Sequence, residues 1–191
     1  MPAGSLTAMR VPRTFAFVDL SGFTNYTAAF GDDAAARILG AFRTVTRQVA
    51  SERGVRIAKW LGDGCMIVSI EQENAIAFAV ELEHRSAEVC APLSLRVGMA
   101  TGEALLFEGD DYIGSAVNLA ARLCDAAGPF EVLLPTMQIA RLPEGITATP
   151  HGELELRGFP GAISVVELSG RPVLRASNDT GELWTRTPFN L

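Results

Sequence analysis

R-I-A-K-W-L-G-D-G-C-M-I-V-S-I, residues 56–70, is two apolar runs joined by Gly62-Asp63-Gly64. Asp-Gly between such runs is a hairpin signal, so the stretch predicts strands over 55–61 and 65–70. A helical pattern flanks it on each side. Upstream, Asp33 to Glu52 carries Ala, Leu and Phe at helical spacing, with Asp32 placed to cap it and Gly54 to end it. Downstream, Gln72 to Val89 contains A-I-A-F-A-V-E-L, and Pro92 closes it. Strands at T-F-A-F-V (14–18) and S-L-R-V-G-M-A (94–100) frame the whole. The order β-α-β-β-α-β predicts an α+β protein with a ferredoxin-like core, an antiparallel sheet with helices on one face.

Beyond that core the sequence predicts Thr101-Gly102 as a break, a short strand at 103–107 and a loop at Gly109-Asp110-Asp111-Tyr112. A helix over 115–126 follows, then C-terminal strands near 131–134, 146–149, 153–156 and 163–168. The tail past Gly170 has no period and is expected to be loosely held.

With 191 residues, nearly half of them apolar, the chain has enough for one buried core. A net charge of -6 without clusters of Lys and Arg argues against nucleic acid or an anionic membrane as partner. No apolar run is long enough to span a bilayer and the N-terminus does not read as a signal peptide, so a cytoplasmic location is expected. Cys65, Cys90 and Cys124 are odd in number and set in apolar surroundings, which suits reduced core thiols. His84 and His151 stand alone and are read as solvated.

One residue in the opening stretch is not explained by the turn. Lys59 stands on an apolar strand four residues before Asp63. Asp63 at the hairpin tip and Asp19 at the end of the first strand are expected at one sheet edge. Two carboxylates there, with backbone carbonyls such as that of Leu20 beside them, make a hard-oxygen site for Mg²⁺ or Mn²⁺. Taken singly, Asp19 is equally a turn cap and Asp63 equally a hairpin residue. The turn Ser21-Gly22-Phe23-Thr24 offers backbone N–H groups to a phosphate. Further on, D-Y-I-G-S-A-V-N-L-A-A-R (111–122) places Asn118 and Arg122 on one helix face, where they can orient a ribose and neutralise a phosphate. An arginine snorkelling at a helix end reads equally well there.

In combination these pieces are specific. Asp19 with S-G-F-T, K-x-x-G-D-G, T-G-E after a strand and D-x-x-G-x-x-V-N-x-A-A-R occur in one order, followed by R-G-F-P-G-A-I-S-V-V-E-L (157–168). This resembles the catalytic domain of class III adenylyl and guanylyl cyclases over residues 13–168, leaving 169–191 as a tail. The likeness is greatest to stand-alone bacterial adenylyl cyclases, mycobacterial ones included. About 12 residues precede the first strand, so no sensor domain is expected ahead of it in this chain.

The resemblance implies a homodimer with composite active sites and two metal ions, Mg²⁺ or Mn²⁺, per site. Asp19 and Asp63 match the metal aspartates. Lys59 and Asp111 match the pair that reads adenine, Asn118 the residue that positions the ribose, and Arg122 the one that stabilises the transition state. The metal aspartates come from one subunit and the other four residues from its partner. Gly22, Phe23, Thr24 and Arg157 match positions near the triphosphate, with Phe23 packing beneath the turn. The implied reaction is ATP to 3′,5′-cyclic AMP and pyrophosphate. The alternatives are a cyclase-like module that binds nucleotide without turnover, and a guanylyl cyclase. A diguanylate cyclase is disfavoured, because its G-G-D/E-E-F pattern is absent.

Overall fold

The computed structural model describes residues 9–107 and 111–173. β1 (Met9–Ser21) pairs along its whole length with β4 (Ser94–Phe107) on one side and over Thr14 to Asp19 with β3 (Gly64–Ser69) on the other, both antiparallel. β2 (Arg56–Leu61) lies outside β3, so the core order is β2-β3-β1-β4. That is the βαββαβ arrangement expected from the sequence. β6 (Val132–Pro135) joins β4 in parallel, and the antiparallel pair β8 (Ala162–Gly170) and β7 (Ile146–Glu155) extends the sheet outward. A short β5 (Asp111–Ile113) folds back on the end of β4.

Alternation along β1 divides the interior in two. Ala16, Val18 and Leu20 face α2 (Asp32–Arg53) and α3 (Gln72–Val89), together with Phe42, Ile76 and Phe78. Phe15 points the other way, to Leu119 and Leu123 of α4 (Ser115–Ala126). The helices of the βαββαβ core thus share one face, and α4 covers the opposite one. A β-strand buried on both faces needs apolar residues at both parities, which explains why T-F-A-F-V alternates so poorly.

Gly98 lets α4 lie this close. A Cβ there would fall inside van der Waals contact of the Cys124 nitrogen and the Ala120 carbonyl. Gly98→Ala must therefore lift the helix, and about 3 kcal/mol of stability is expected to be lost, measured by urea unfolding. Because α4 carries Asn118 and Arg122, the variant should also perturb whatever those residues do.

Several local expectations are corrected. Asp32 does not cap α2. It is the first helical residue, the cap position belongs to Gly31, and no side-chain cap bond forms. The turn expected at Ser21-Gly22-Phe23-Thr24 is confined to Gly22, and Phe23 and Thr24 already belong to α1 (Phe23–Phe30), an eight-residue helix with no buried residue. Thr101-Gly102 does not break β4, and Asp111 and Tyr112 are strand rather than loop. The 146–149 and 153–156 strands are one strand with an irregularity between Pro150 and Gly152. The three cysteines are free and buried, as expected. His84 is exposed, but His151 is not solvated in full: Nε2 lies 3.4 Å from a Glu131 carboxylate oxygen and Nδ1 is buried without a partner. Gly109, Asp110 and residues 174–191 of the tail lie outside the described residues.

Candidate active site

β-strand alternation places Asp19 on the α4 side of the sheet, in register with Gly64 on β3 and Arg96 on β4. Arg96 shares that face. Its Nε and Nη2 both donate to Oδ2 of Asp19, at 2.9 and 2.6 Å, and its Nη1 donates to the Asp125 carbonyl at 3.3 Å. The pair is more than two-thirds buried, so the interaction is screened less than a surface ion pair.

Asp63 occupies the turn between β2 and β3. Gly62 before it has φ 66°, a left-handed conformation that glycine adopts without strain. Gly64 after it has no room for a side chain. A Cβ there would collide with the Val18 carbonyl and lie 3.2 Å from Oδ1 of Asp19. The missing Cβ keeps a space beside that carboxylate, at the rim of a cavity of about 240 Å³ lined by Phe17, Asp19, Leu61, Arg96, Ala121 and Asp125. Burial, and then the charge of Asp19, push the Asp63 carboxyl up from its ordinary 3.8.

A half-buried carboxylate set beside a second carboxylate is an electrostatic demand for a cation. Their oxygens suit Mg²⁺ or Mn²⁺, which take few protein ligands and complete their shells with water and substrate phosphates. Among the described residues no group of three or more His, Cys, Asp or Glu side chains converges, so the site does not resemble a closed structural metal cage. The residues present fit a catalytic divalent ion.

The raised Asp63 carboxyl has a consequence for stability. A carboxyl whose folded pKa is raised contributes stability below its unfolded value, and that contribution is lost as pH rises through the folded one. At neutral pH the metal-free protein therefore carries an unfavourable charge here. Asp63→Asn is expected to raise the melting temperature of the metal-free chain at pH 7, with the gain vanishing near pH 3. A scanning calorimetry series over pH checks this.

Lys59 Nζ forms an ion pair with Oδ1 of Asp111, bringing together residues far apart in sequence. Their side chains are 45% and 47% exposed, so the contact is open to solvent. Asn118 and Arg122 are exposed on α4, one turn apart, and Arg122 Nη1 donates to Oδ2 of Asp125 at 3.0 Å. Asp125 also lines the Asp19 cavity. Phe23 packs partly buried against the core, whereas Thr24 is exposed in the first turn of α1. Gly22 has φ 83°, and the Leu20 side chain is 1% exposed, leaving only its backbone for a ligand. Arg157 is exposed beyond β7 and lines a separate depression with Glu155 and Phe159.

Arg96 is the residue that sequence reasoning missed. Its signal was the same as that of Lys59: a lone cation in an otherwise apolar strand.

The fold and this face define a class before any comparison: a βαββαβ core whose sheet presents paired carboxylates and a lysine–aspartate ion pair on one side. The chain belongs to the adenylate and guanylate cyclase catalytic domain family, whose model matches residues 12–170. An uncharacterized protein of Mycobacterium tuberculosis is 36% identical over 169 residues, covering 88% of this chain. The chain spans 44% of that relative's length. Among solved structures, the adenylyl cyclase CyaB from P. aeruginosa superposes with a TM-score of 0.74 at 22% identity, over 92% of this chain and 100% of the other. The guanylyl cyclase Cya2 does so at 0.76 and 18% identity, over 93% and 97%. The fold is therefore shared by cyclases of both base specificities and does not choose between them. No helix among the described residues is long and apolar enough to cross a membrane.

Proposed function

We propose that the chain is an adenylyl cyclase catalytic domain. It converts ATP to 3′,5′-cyclic AMP and pyrophosphate as a homodimer with composite sites, its catalytic domain spanning 13–168 and its tail 169–191. The observation that carries this reading is the Lys59–Asp111 pair on a sheet that also bears the Asp19–Asp63 pair.

The base-reading chemistry follows from donors and acceptors. Adenine offers an acceptor at N1 and a donor at N6. Lys59 donates to N1 and Asp111 accepts from N6. Guanine reverses both groups, leaving donor against donor and acceptor against carbonyl, and unpaired polar groups of this sort discriminate strongly. Without nucleotide the two residues satisfy each other. An exposed ion pair is worth about 1 kcal/mol or less, so a base entering between them loses little.

The 3′-oxygen of the ribose attacks the α-phosphorus in line, a P–O bond forms, and the bond to pyrophosphate breaks as the hydroxyl proton leaves. Asn118 orients the ribose for that approach. Arg122 turns from its surface contact with Asp125 to the α-phosphate, where negative charge grows; such a preorganised cation is worth about 3–4 kcal/mol in the transition state. Asp19 and Asp63 hold the divalent ions. Bound there, Mg²⁺ or Mn²⁺ supplies acidity for the 3′-hydroxyl and neutralises the triphosphate. Gly22, Phe23, Thr24 and Arg157 stand on the triphosphate side.

Head-to-tail pairing of two chains sets the Asp19–Asp63 half of one against the Lys59, Asp111, Asn118 and Arg122 half of the other. Lys59 and Asp63 of one hairpin then serve different nucleotides. A cytoplasmic setting, with ATP, magnesium and reduced thiols, fits the free cysteines.

The test is turnover of ATP and GTP side by side with Mn²⁺. A kcat/KM ratio favouring ATP by about 10²-fold or more is expected from the polar base contacts. Equal turnover of both, or preference for GTP, rejects the adenine assignment. Tight ATP binding without product identifies a sensing module instead.

A further inference from the structure

The hairpin that carries Lys59 and Asp63 is gripped from behind. Trp60, between them, faces α2 and meets Phe42 edge-on with ring centroids 6.1 Å apart. Two arginines of α2 cover the same ring: the guanidinium carbons of Arg43 and Arg47 lie 5.1 and 5.2 Å from its centroid. Arg43 also reaches the turn itself. Its Nη2 donates to the Gly62 carbonyl at 3.4 Å, the peptide that leads directly into Asp63. In that pose Nε is buried with no hydrogen-bond partner.

The unpartnered Nε separates packing from function. A buried donor left unsatisfied is unfavourable, and an aliphatic side chain of similar length would cover Trp60 without that penalty. Arginine is therefore a poor choice for packing alone at this position. It is a good choice for holding a carbonyl at the hairpin tip, because the planar guanidinium can stack on the indole and donate sideways at once. Arg47 has the stack but not the turn: its Nη1 donates to the Arg43 carbonyl within α2.

We propose that Arg43 is a positioning residue: by bonding the Gly62 carbonyl while stacked on Trp60, it fixes the hairpin tip and thus the place of the Asp63 carboxylate beside Asp19. The inference rests on the reading of Asp63 as a metal-holding residue. Arg43 touches neither nucleotide nor metal; it acts through the backbone of the turn. Groups that support a ligand from outside commonly change metal affinity by about 10–100-fold when removed, and one acting through a single carbonyl belongs at or below the lower end.

The experiment measures Mn²⁺ binding to the nucleotide-free full chain by electron paramagnetic resonance of free Mn²⁺, with melting temperatures recorded alongside. Asp63→Asn is expected to weaken binding by about 10-fold or more, and Arg43→Met by about 3–10-fold with an unchanged or higher melting temperature. Arg43→Lys, which keeps a cation and a donor, should fall between Arg43→Met and the unsubstituted chain. Arg47→Met should stay within about twofold, since it loses the contact with Trp60 and a bond within α2 but nothing that reaches the turn. Wild-type affinity in Arg43→Met, when Asp63→Asn is impaired, overturns the positioning role and leaves the metal assignment standing. Equal losses in Arg43→Met and Arg47→Met, with both melting lower, reduce the pair to packing and also overturn it. Mn²⁺ binding that ignores Asp63→Asn overturns both readings.

Discussion

Asp19→Ala is expected to lower the rate of cyclic AMP formation by about 10³-fold or more, the scale set by the several kcal/mol that divalent ions contribute to phosphoryl chemistry. The residue does more than supply charge. It is the acceptor for two N–H groups of Arg96, and those partners are left without it when alanine is introduced. A buried cation without its acceptor destabilises the fold, so loss of activity in the alanine variant alone is ambiguous. Asp19→Asn removes the ambiguity. It keeps an oxygen for Arg96 and the register with Gly64, yet loses the negative charge that the proposed metal site requires. Near-native melting together with a loss of activity close to that of alanine is the expected result in a thermal and kinetic comparison.

The second large effect is recovery rather than loss. Asp19→Ala and Arg122→Ala chains should each be inactive alone, and mixing them should restore activity. In a two-fold dimer with composite sites, each mixed pair contains one site with both lesions and one with neither. Random exchange makes half of the dimers mixed, so about a quarter of wild-type activity is expected. A site built within one chain restores nothing, because every chain in the mixture carries a lesion. Gel filtration with differently tagged chains confirms that mixed dimers have formed before the assay is read.

How much of this was legible in the sequence depended on what each residue answers to. The hairpin at Lys59–Gly64 was legible because its turn chemistry is local: Gly62 adopts a φ of 66°, whereas the close approach of the Val18 carbonyl that also demands glycine at position 64 is tertiary. Helix α2 was legible because it buries an apolar stripe at helical spacing, and α3 because its run A-I-A-F-A-V-E-L, buried throughout from Ala75 to Leu82, is rich in alanine rather than β-branched residues. α1 was not, since a helix that buries none of its residues leaves no periodic trace. Thr101-Gly102 misled for a tertiary reason. The Thr101 hydroxyl lies 2.8 Å from that of Thr14 across β1 and β4, and Gly102 is small because the Ala116 methyl of α4 comes within 3.0 Å of where its Cβ would stand. Glycine there answers to a close approach, not to a turn. Arg96 carries a local signal, a lone cation in an apolar strand, but that signal names no partner. Its role appears only when strand register sets it opposite Asp19.

The site shows the same division. Asp19, Asp63, Lys59, Asp111, Asn118 and Arg122 were found by motif. That Lys59 meets Asp111 depends on how β5 folds back on the end of β4, whereas the Arg122–Asp125 contact is local, between residues three apart on α4.

The most direct test of the account is product formation. Purified chain, incubated with ATP and Mn²⁺, should yield 3′,5′-cyclic AMP and pyrophosphate in equal amounts, with no product from Asp19→Asn under the same conditions. Pyrophosphate without cyclic AMP, no turnover in the intact chain, or equal turnover in Asp19→Asn would contradict it.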